Sequence, residues 1–310
     1  MQPNLFWKNF RLGTELQISG SFIYNGLFTL ENMQTFYHQE ECFEFLYNIS
    51  VGLERLAKVA VILIEHDDTI SQEEYEKTLI THMHPELIRR IKEKRKLTLN
   101  KEHNKFLTLL GEFYRSSRYD RYNLSSVYNP PQDQEKLVKF IADQLNIEIK
   151  IALPFSTEIT DDIRAFFGKL IAKIATQLFE LVREEAYRLG IATYELAYDS
   201  KAFKIFVAKE FDFKKERLMQ REVLLYLLKD LPDEGFKEYI DTLKPIPFGQ
   251  LDTNKYVQSI FNIHRDRDVV DEMEYLYEEH NIKKERVDTV MPIGSDNISF
   301  DPIDEDFETE

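Results

Sequence analysis

Apolar side chains recur at intervals of three and four residues between Phe43 and Ile64. This spacing places them on one face of an α-helix, so the segment is predicted to be an amphipathic helix. We expect it to be one of four helices that close around a common apolar centre. The positions on its apolar face are Leu46, Ile49, Leu53, Leu56, Ala57, Ala60 and Ile64.

Three further segments complete the predicted bundle in the first 125 residues. Residues 5–30 are apolar on several faces and are predicted to be helical, although their ISGSFIY stretch also suits a strand. Pro85 is expected in the first turn of the next helix, where its missing N–H costs nothing. The stretch NKEHNKFLTLLGEFYRS forms a fourth helix with one apolar side, which carries Phe106, Leu109, Leu110 and Phe113.

The two prolines and the polar residues at 123–134 mark the expected boundary between two regions. We therefore predict a helical bundle at 1–128 and a second, mostly helical region at 129–293. The alternating apolar residues Ile147, Ile149, Ile151 and Leu153 suit a short strand. Residues 294–310 are rich in acids and are predicted to form a flexible tail.

The longest helix of the back half is predicted between Thr160 and Gly190. Threonine is a good N-cap residue, Asp161 and Asp162 suit the positive end of the helix dipole, and glycine suits the C-terminal cap. Shorter helices are expected near 191–209, 215–230, 234–243, 253–262 and 268–280. The predicted fold class is mainly α: an up-and-down helical bundle with a helical extension and at most a few short strands.

Charge is distributed unevenly along the chain, whose formal net charge is −15. Residues 1–128 contain 16 Lys and Arg against 17 Asp and Glu, whereas residues 129–310 contain 24 against 38. Excess negative charge disfavours nonspecific binding to nucleic acid, although a local basic surface can still bind it.

The single cysteine, Cys42, cannot form an internal disulfide, and no zinc site can be built from thiolates. No segment approaches the roughly 18 apolar residues needed to span a bilayer, and the N-terminus does not resemble a secretion signal. We therefore expect a cytoplasmic protein without membrane contact.

Familiar enzyme motifs are missing from the sequence. It contains no glycine-rich phosphate loop, no GxSxG, no HExxH, no paired-cysteine motif and no calcium-binding loop. His82 and His84 lie two residues apart, but no third ligand is evident nearby, so we expect neither a metal site nor a cofactor.

Two basic segments are candidates for nucleic-acid binding. The first contains Arg89, Arg90, Lys94 and Arg95, and the second is RSSRYDRY at 115–122. Guanidinium groups bind phosphate in a bidentate manner and tyrosine rings stack on bases, which favours an RNA-binding role. The alternative is that these charges are solvated or paired with neighbouring acids. In the second segment, the candidate nucleic-acid-binding residues are Arg115, Arg118, Tyr119 and Arg121.

Three stretches together resemble the HEPN family of helical domains: SVGLERLAKVAVIL (50–63), THMHPELIRRI (81–91) and FYRSSRYDRY (113–122). Domains of this family have a central helix with an internal acid and lysine, matched here by Glu54 and Lys58. A histidine motif opens the next helix, and an Arg-Tyr pair, matched by Arg118 and Tyr119, ends a later one. The resemblance covers residues of about 5–125.

This resemblance implies an up-and-down bundle, often dimeric, of the kind found in prokaryotic defence and toxin–antitoxin systems. Many members are metal-independent ribonucleases with a signature of Arg, four to six intervening residues, and His. The present sequence departs from that signature, because Arg95 lies one position too far from His103 and Lys96 is the wrong cation.

Metal-free RNA cleavage needs a base for the 2′-hydroxyl proton and a cation for the developing phosphorane charge. Candidates for the base are His82, His84 and His103, and the candidate cation is Arg118, with Arg115 and Arg121 beside it.

We therefore carry two functional hypotheses from the sequence. The first is a HEPN-like protein that binds RNA or a nucleotide and cleaves RNA without metal. The second is a non-enzymatic helical protein whose acidic C-terminal half binds a protein partner.

Overall fold

The computed structural model describes residues 2–67, 69–122, 124, 128, 131–152, 155–229, 234–261, 267–280, 284–290 and 292–293. Helices dominate these residues, and no strand occurs among them apart from one isolated antiparallel bridge between Thr35 and Glu158. The mainly α fold class is confirmed. The chain divides into two compact units, Met1–Phe213 and Lys214–Glu310.

Unit 1 is a helical bundle. A π-helical turn (Trp7–Arg11) joins its first two helices, and a 3₁₀ helix (Ser117–Tyr122) follows the sixth. The helices are α1 (Pro3–Phe6), α2 (Leu12–Asn32), α3 (Gln39–Glu65), α4 (Gln72–Thr78), α5 (His84–Lys94), α6 (Lys101–Arg115), α7 (Gln132–Leu145), α8 (Asp161–Leu189) and α9 (Lys201–Phe206).

Helix α3 lies at the centre of unit 1 and contacts α2, α5, α6, α7 and α8. Its predicted apolar positions are buried, except for Ile64, which packs against the core but is only half-buried. The alternative of a strand within residues 5–30 is wrong, because α2 is helical throughout. Helix α4 was not foreseen, since only Tyr75 of its seven residues is buried and its sequence carries little apolar periodicity.

Helices α2 and α3 run antiparallel and approach each other closely at Gly52. Ser19 Oγ donates a hydrogen bond of 2.7 Å to the Gly52 carbonyl. A Cβ atom at Gly52 would lie 2.7 Å from Ile23 Cγ1 and 3.0 Å from the Ile23 nitrogen. The missing side chain therefore sets the distance between these helices.

The first compact unit extends to Phe213, well beyond the boundary at 128 that the prolines suggested. The reason is the apolar face of α8, which is buried against α3; Phe167, for example, packs edge-on against Phe45 at 5.0 Å between ring centroids. Both predicted caps of α8 are present. Thr160 accepts a hydrogen bond from the Ile163 N–H, and Gly190 adopts φ +65°.

The short strand expected at 147–153 is not found in residues 146–152, which the structure does describe. Lys150 and Thr157 instead bond each other, with the Thr157 N–H donating to the Lys150 carbonyl at 2.8 Å. Ile149 and Ile151 pack against the core. Alternation alone does not make a strand here, because among the described residues no neighbouring segment forms a ladder with it.

The described part of unit 2 contains five further helices, and Glu272 organises part of it. The Glu272 carboxylate is buried and accepts hydrogen bonds from the N–H groups of Gly249 and Gln250 and from the Tyr256 hydroxyl. The helices are α10 (Lys214–Lys229), α11 (Glu234–Thr242), α12 (Thr253–Phe261), α13 (Arg267–Glu279) and α14 (Lys284–Val290). The predicted acidic tail at 294–310 lies outside the described residues.

Within the part of the chain that the structure describes, no helix combines the length and the apolar composition that crossing a bilayer requires.

Replacing Gly52 by alanine is expected to destabilise unit 1 by about 1–3 kcal/mol, because the new methyl group overlaps Ile23 and forces α2 away from α3. This loss opposes the gain of up to about 1 kcal/mol that alanine normally brings to a helix. Chemical denaturation followed by circular dichroism measures the difference.

The matched control is Gly13→Ala in α2, where the nearest atom to the new Cβ is the Thr193 carbonyl oxygen at an ordinary 3.5 Å. This variant should be as stable as the parent protein or slightly more stable. Equal stability of the two variants would show that the close approach at Gly52 does not limit the packing of α2 on α3.

Candidate functional site

A buried carboxylate lies on the side of α3 that faces the segment before α5. Glu54 is 6% exposed, and the Lys58 ammonium, one helical turn further on, lies 2.6 Å from its Oε1. Burial of an unpaired carboxylate would be costly, so this ion pair helps to keep the charge inside the bundle. Glu54 and Lys58 are the acid and lysine that carried the family resemblance.

His82 is the second partner of this carboxylate. Its Nδ1 lies 3.2 Å from both oxygens of Glu54, while 47% of its side chain is exposed. Because a carboxylate can only accept, Nδ1 carries the proton in this pair and Nε2 is left as the basic nitrogen of the neutral ring. The arrangement is a histidine oriented by a buried acid, the pairing that general-base catalysis uses.

Tyr114, at the end of α6, connects His82 with Arg118. The rings of His82 and Tyr114 have centroids 4.6 Å apart. The Arg118 guanidinium carbon lies 3.8 Å from the centroid of the same tyrosine ring and 4.6 Å from that of Tyr119. The structure therefore gathers a histidine base and an arginine around one aromatic ring, although they come from positions 36 residues apart in sequence.

A cavity of about 360 Å³ opens beside the Glu54–His82 pair. A stripe of α3 forms its floor, and residues before α5, at the end of α6 and near the N-terminus form its walls. Glu15 of α2 and Arg55 of α3 form an ion pair within the lining. The lining residues are Trp7, Leu12, Glu15, Val51, Glu54, Arg55, Lys58, Val59, Ile62, Leu79, His82 and Tyr114.

His84 is not part of this cavity. It is buried, and its Nε2 lies 2.8 Å from the Ser50 carbonyl oxygen, to which it donates. Burial lowers the pKa of His84, so the ring is neutral near pH 7. Its position against Gly111 indicates that it fixes the start of α5 on α3 and α6.

His103 is also separated from Arg118. It lies in the first turn of α6 and contacts the capping residue Asn100 through Nδ1. Arg118 follows the other end of the same helix, about 18 Å away along the axis at 1.5 Å per residue. Of the three candidate histidines, only His82 contacts the tyrosine ring on which Arg118 stacks. Arg118 itself lines a different cavity, together with Gln39, Glu40, Phe43 and Tyr122.

The arginines of the first basic segment form ion pairs with neighbouring acids. Arg89 pairs with Glu86 and Glu93 on its own helix. Arg90 pairs with Glu65 and donates to the Thr78 carbonyl at 2.9 Å.

The remaining basic candidates differ in their surroundings. Arg95 pairs with the buried Glu185 of α8 and so joins α5 to α8. Lys94 and Arg115 are exposed, as is Tyr119. The side chain of Arg121 lies outside the described residues. For Arg89, Arg90 and Arg95 the geometry therefore favours the alternative that the charges serve neighbouring acids.

Among the described residues, no group of three or more His, Cys, Asp or Glu side chains is arranged to hold a metal ion. The thiol of Cys42 is buried in the core.

Sequence reasoning did not select Tyr114, Glu15 or Arg55. Tyr114 precedes Arg118 by four residues, but α6 ends at Arg115 and Arg118 lies in the following 3₁₀ helix, so the spacing rule for an α-helix did not predict their contact. Glu15 and Arg55 are 40 residues apart, and only the pairing of α2 with α3 brings them together.

No protein-family model, no curated protein and no solved structure matches the chain.

His84 makes the stability of unit 1 depend on pH. Its pKa is lower in the folded protein than the value of 6.5 for an exposed histidine, so below about pH 6.5 the unfolded chain binds more protons. The contribution of the neutral His84 ring to the stability of unit 1 is fully present above pH 6.5 and is lost as the pH falls below that value. The free energy of unfolding should drop by about 1 kcal/mol between pH 7.5 and 5.5 through this residue alone.

His84→Gln tests this dependence, because the glutamine amide can still donate to the Ser50 carbonyl but does not titrate. Denaturation at pH 7.5 and 5.5 should show a smaller loss of stability in the variant than in the parent protein. Parallel losses in both proteins would show that His84 does not resist protonation in the folded state.

Proposed function

We propose that this protein binds RNA and cleaves it without a metal ion, with His82 as the general base and Arg118 as the cation that stabilises the transition state. The observation that carries the proposal is the pair of contacts on Tyr114, which brings a carboxylate-oriented histidine and a guanidinium against one aromatic ring. The HEPN resemblance supports the same activity and suggests a role in prokaryotic defence or a toxin–antitoxin system.

The site's own groups account for the chemistry. His82 Nε2 takes the proton of a ribose 2′-hydroxyl, and the 2′-oxygen forms a bond to the adjacent phosphorus. The bond from phosphorus to the 5′-oxygen breaks, and that oxygen takes a proton from water. The hydroxide formed in this way then takes the proton back from His82. The products are a 2′,3′-cyclic phosphate and a 5′-hydroxyl.

Two positioned charges favour this reaction. Glu54 holds the ring of His82 in one orientation and stabilises the imidazolium that forms when Nε2 is protonated. A guanidinium presents several donors in one plane, which suits the oxygens of a phosphorane. Arg118 stacks on the ring of Tyr114, and this contact fixes the plane in which its N–H groups donate.

His82→Ala and Arg118→Ala should each lower the rate of RNA cleavage, the first by about 10²- to 10⁴-fold, the usual contribution of a general base. The assay uses 5′-labelled single-stranded RNA in the presence of EDTA and identifies the 2′,3′-cyclic phosphate end. Purified parent protein should retain its activity in EDTA.

His103→Ala is the matched control, since this histidine lies at the far end of α6 and should leave the rate unchanged. Equal rates for His82→Ala and the parent protein would refute the catalytic role. Binding of RNA without cleavage by the parent protein would reduce the proposal to an RNA-binding function.

One observation favours the second hypothesis, association through the acidic back half. None of the described side chains of α10 is buried, although the helix is rich in large apolar residues. Exposed apolar surface of this extent usually marks an interface. The exposed positions are Leu218, Met219, Val223, Leu225, Tyr226, Leu227 and Leu228.

A second copy of the chain suits this surface best. The apolar side chains run along the described length of α10, and pairing of two copies around a twofold axis would cover the same residues on both of them. This association is independent of the RNA-cleaving site.

Leu218→Glu should convert a dimer into a monomer, because the new carboxylate would be buried between the two copies. Light scattering after size-exclusion chromatography measures the mass. Ile260→Glu is the control, because Ile260 of α12 is 63% exposed and Leu218 is 60% exposed. A parent protein that stays monomeric at all concentrations would exclude this interface.

A further inference from the structure

The ion pair between Glu15 and Arg55 lies in the same cavity as the Glu54–His82 pair. Each of its two side chains is 39% exposed, so neither is sealed between the helices. Arg55 follows Glu54 directly in the chain, and both residues line the cavity. The candidate catalytic site thus includes a second pair of charges that the proposed reaction does not use.

This pair retains hydrogen-bonding capacity. Among the described residues, Glu15 accepts only through Oε2, and Arg55 donates only from one terminal nitrogen. A carboxylate has a second oxygen, and a guanidinium has further N–H groups. The pair therefore presents acceptors and donors side by side to whatever enters the cavity.

The remaining lining suits a flat aromatic group. Trp7 contributes an aromatic side chain to the lining, and Val59, Ile62 and Leu79 contribute apolar walls. Proteins that read single-stranded RNA hold unstacked bases in this way, with an aromatic or apolar surface on the base plane and polar groups on its Watson–Crick edge.

We propose that the cavity is a binding site for a guanine base of single-stranded RNA. Guanine is the base whose Watson–Crick edge places two donors, N1–H and the N2 amino group, beside one acceptor, O6. The two oxygens of Glu15 accept from the two donors, and Arg55 donates to O6. Adenine, cytosine and uracil each offer this carboxylate one donor on that edge and bind more weakly.

This assignment rests on the proposed function, and it adds a prediction about where the RNA is cut. Glu15, Arg55 and His82 line one cavity, so the bound guanosine lies next to the bond that His82 acts on. Cleavage should consequently occur beside guanosines in single-stranded substrates.

Trp7 provides a direct measurement of base binding. It is the only tryptophan in the chain and lines the cavity, so its fluorescence reports occupancy without any cleavage. Titration of the full-length protein with GMP, AMP, CMP and UMP should give the tightest dissociation constant for GMP, by roughly 10- to 100-fold, the discrimination expected of a bidentate contact.

Glu15→Gln should remove most of this preference, because the amide offers one acceptor and one donor where guanine requires two acceptors. Arg55→Lys should weaken GMP binding while keeping the positive charge. Glu44→Gln is the matched control, since Glu44 is an exposed residue of α3 outside the cavity, and it should bind like the parent protein. Circular dichroism establishes that each variant is folded.

The outcomes separate this inference from the proposed function. Equal affinity for all four nucleotides, or RNA cleavage without preference for guanosine, overturns the guanine site and leaves the ribonuclease intact. GMP binding with the expected preference but no cleavage retains the base site and refutes the catalytic proposal. Failure of both binding and cleavage refutes both.

Discussion

The Glu54 carboxylate is the constraint around which the front of this protein is arranged. A charge placed on the central helix of an apolar bundle has to be paired, because leaving it unpaired would cost several kcal/mol. Lys58 supplies part of the pairing from the same helix, and His82 supplies the rest from a segment between two other helices. The need to satisfy one buried acid thus gives the histidine a fixed orientation at the protein surface.

The sequence predicted those features that local patterns encode. The spacing of apolar residues located α3 and α6, and the residues Thr160 and Gly190 located the ends of α8. Features that depend on which helices meet were not accessible in this way. The prolines at 123–134 were a reasonable boundary, but the apolar face of α8 requires α3 to cover it, so unit 1 continues to Phe213.

The candidate site was predictable to a similar extent. Glu54, Lys58, His82 and Arg118 could be selected from short motifs, since residue type and local position are visible in a sequence. The role of the first basic segment could not be predicted from the sequence, because the partner of Arg90 is 25 residues away and that of Arg95 is 90 residues away. Glu65 and Glu185 pair with these arginines and so help to pack α5, whereas Arg118 stacks on an aromatic ring.

The segment that carries His82 is tied down at both ends. On one side, Arg90 bonds the Thr78 carbonyl and Glu65, and on the other, His84 bonds the Ser50 carbonyl. The short connection between α4 and α5 is therefore fixed at both ends, and His82 lies within it. Loss of either anchor would misplace the imidazole without touching it, so an inactive protein altered at His84 would be no proof that this buried ring takes part in chemistry.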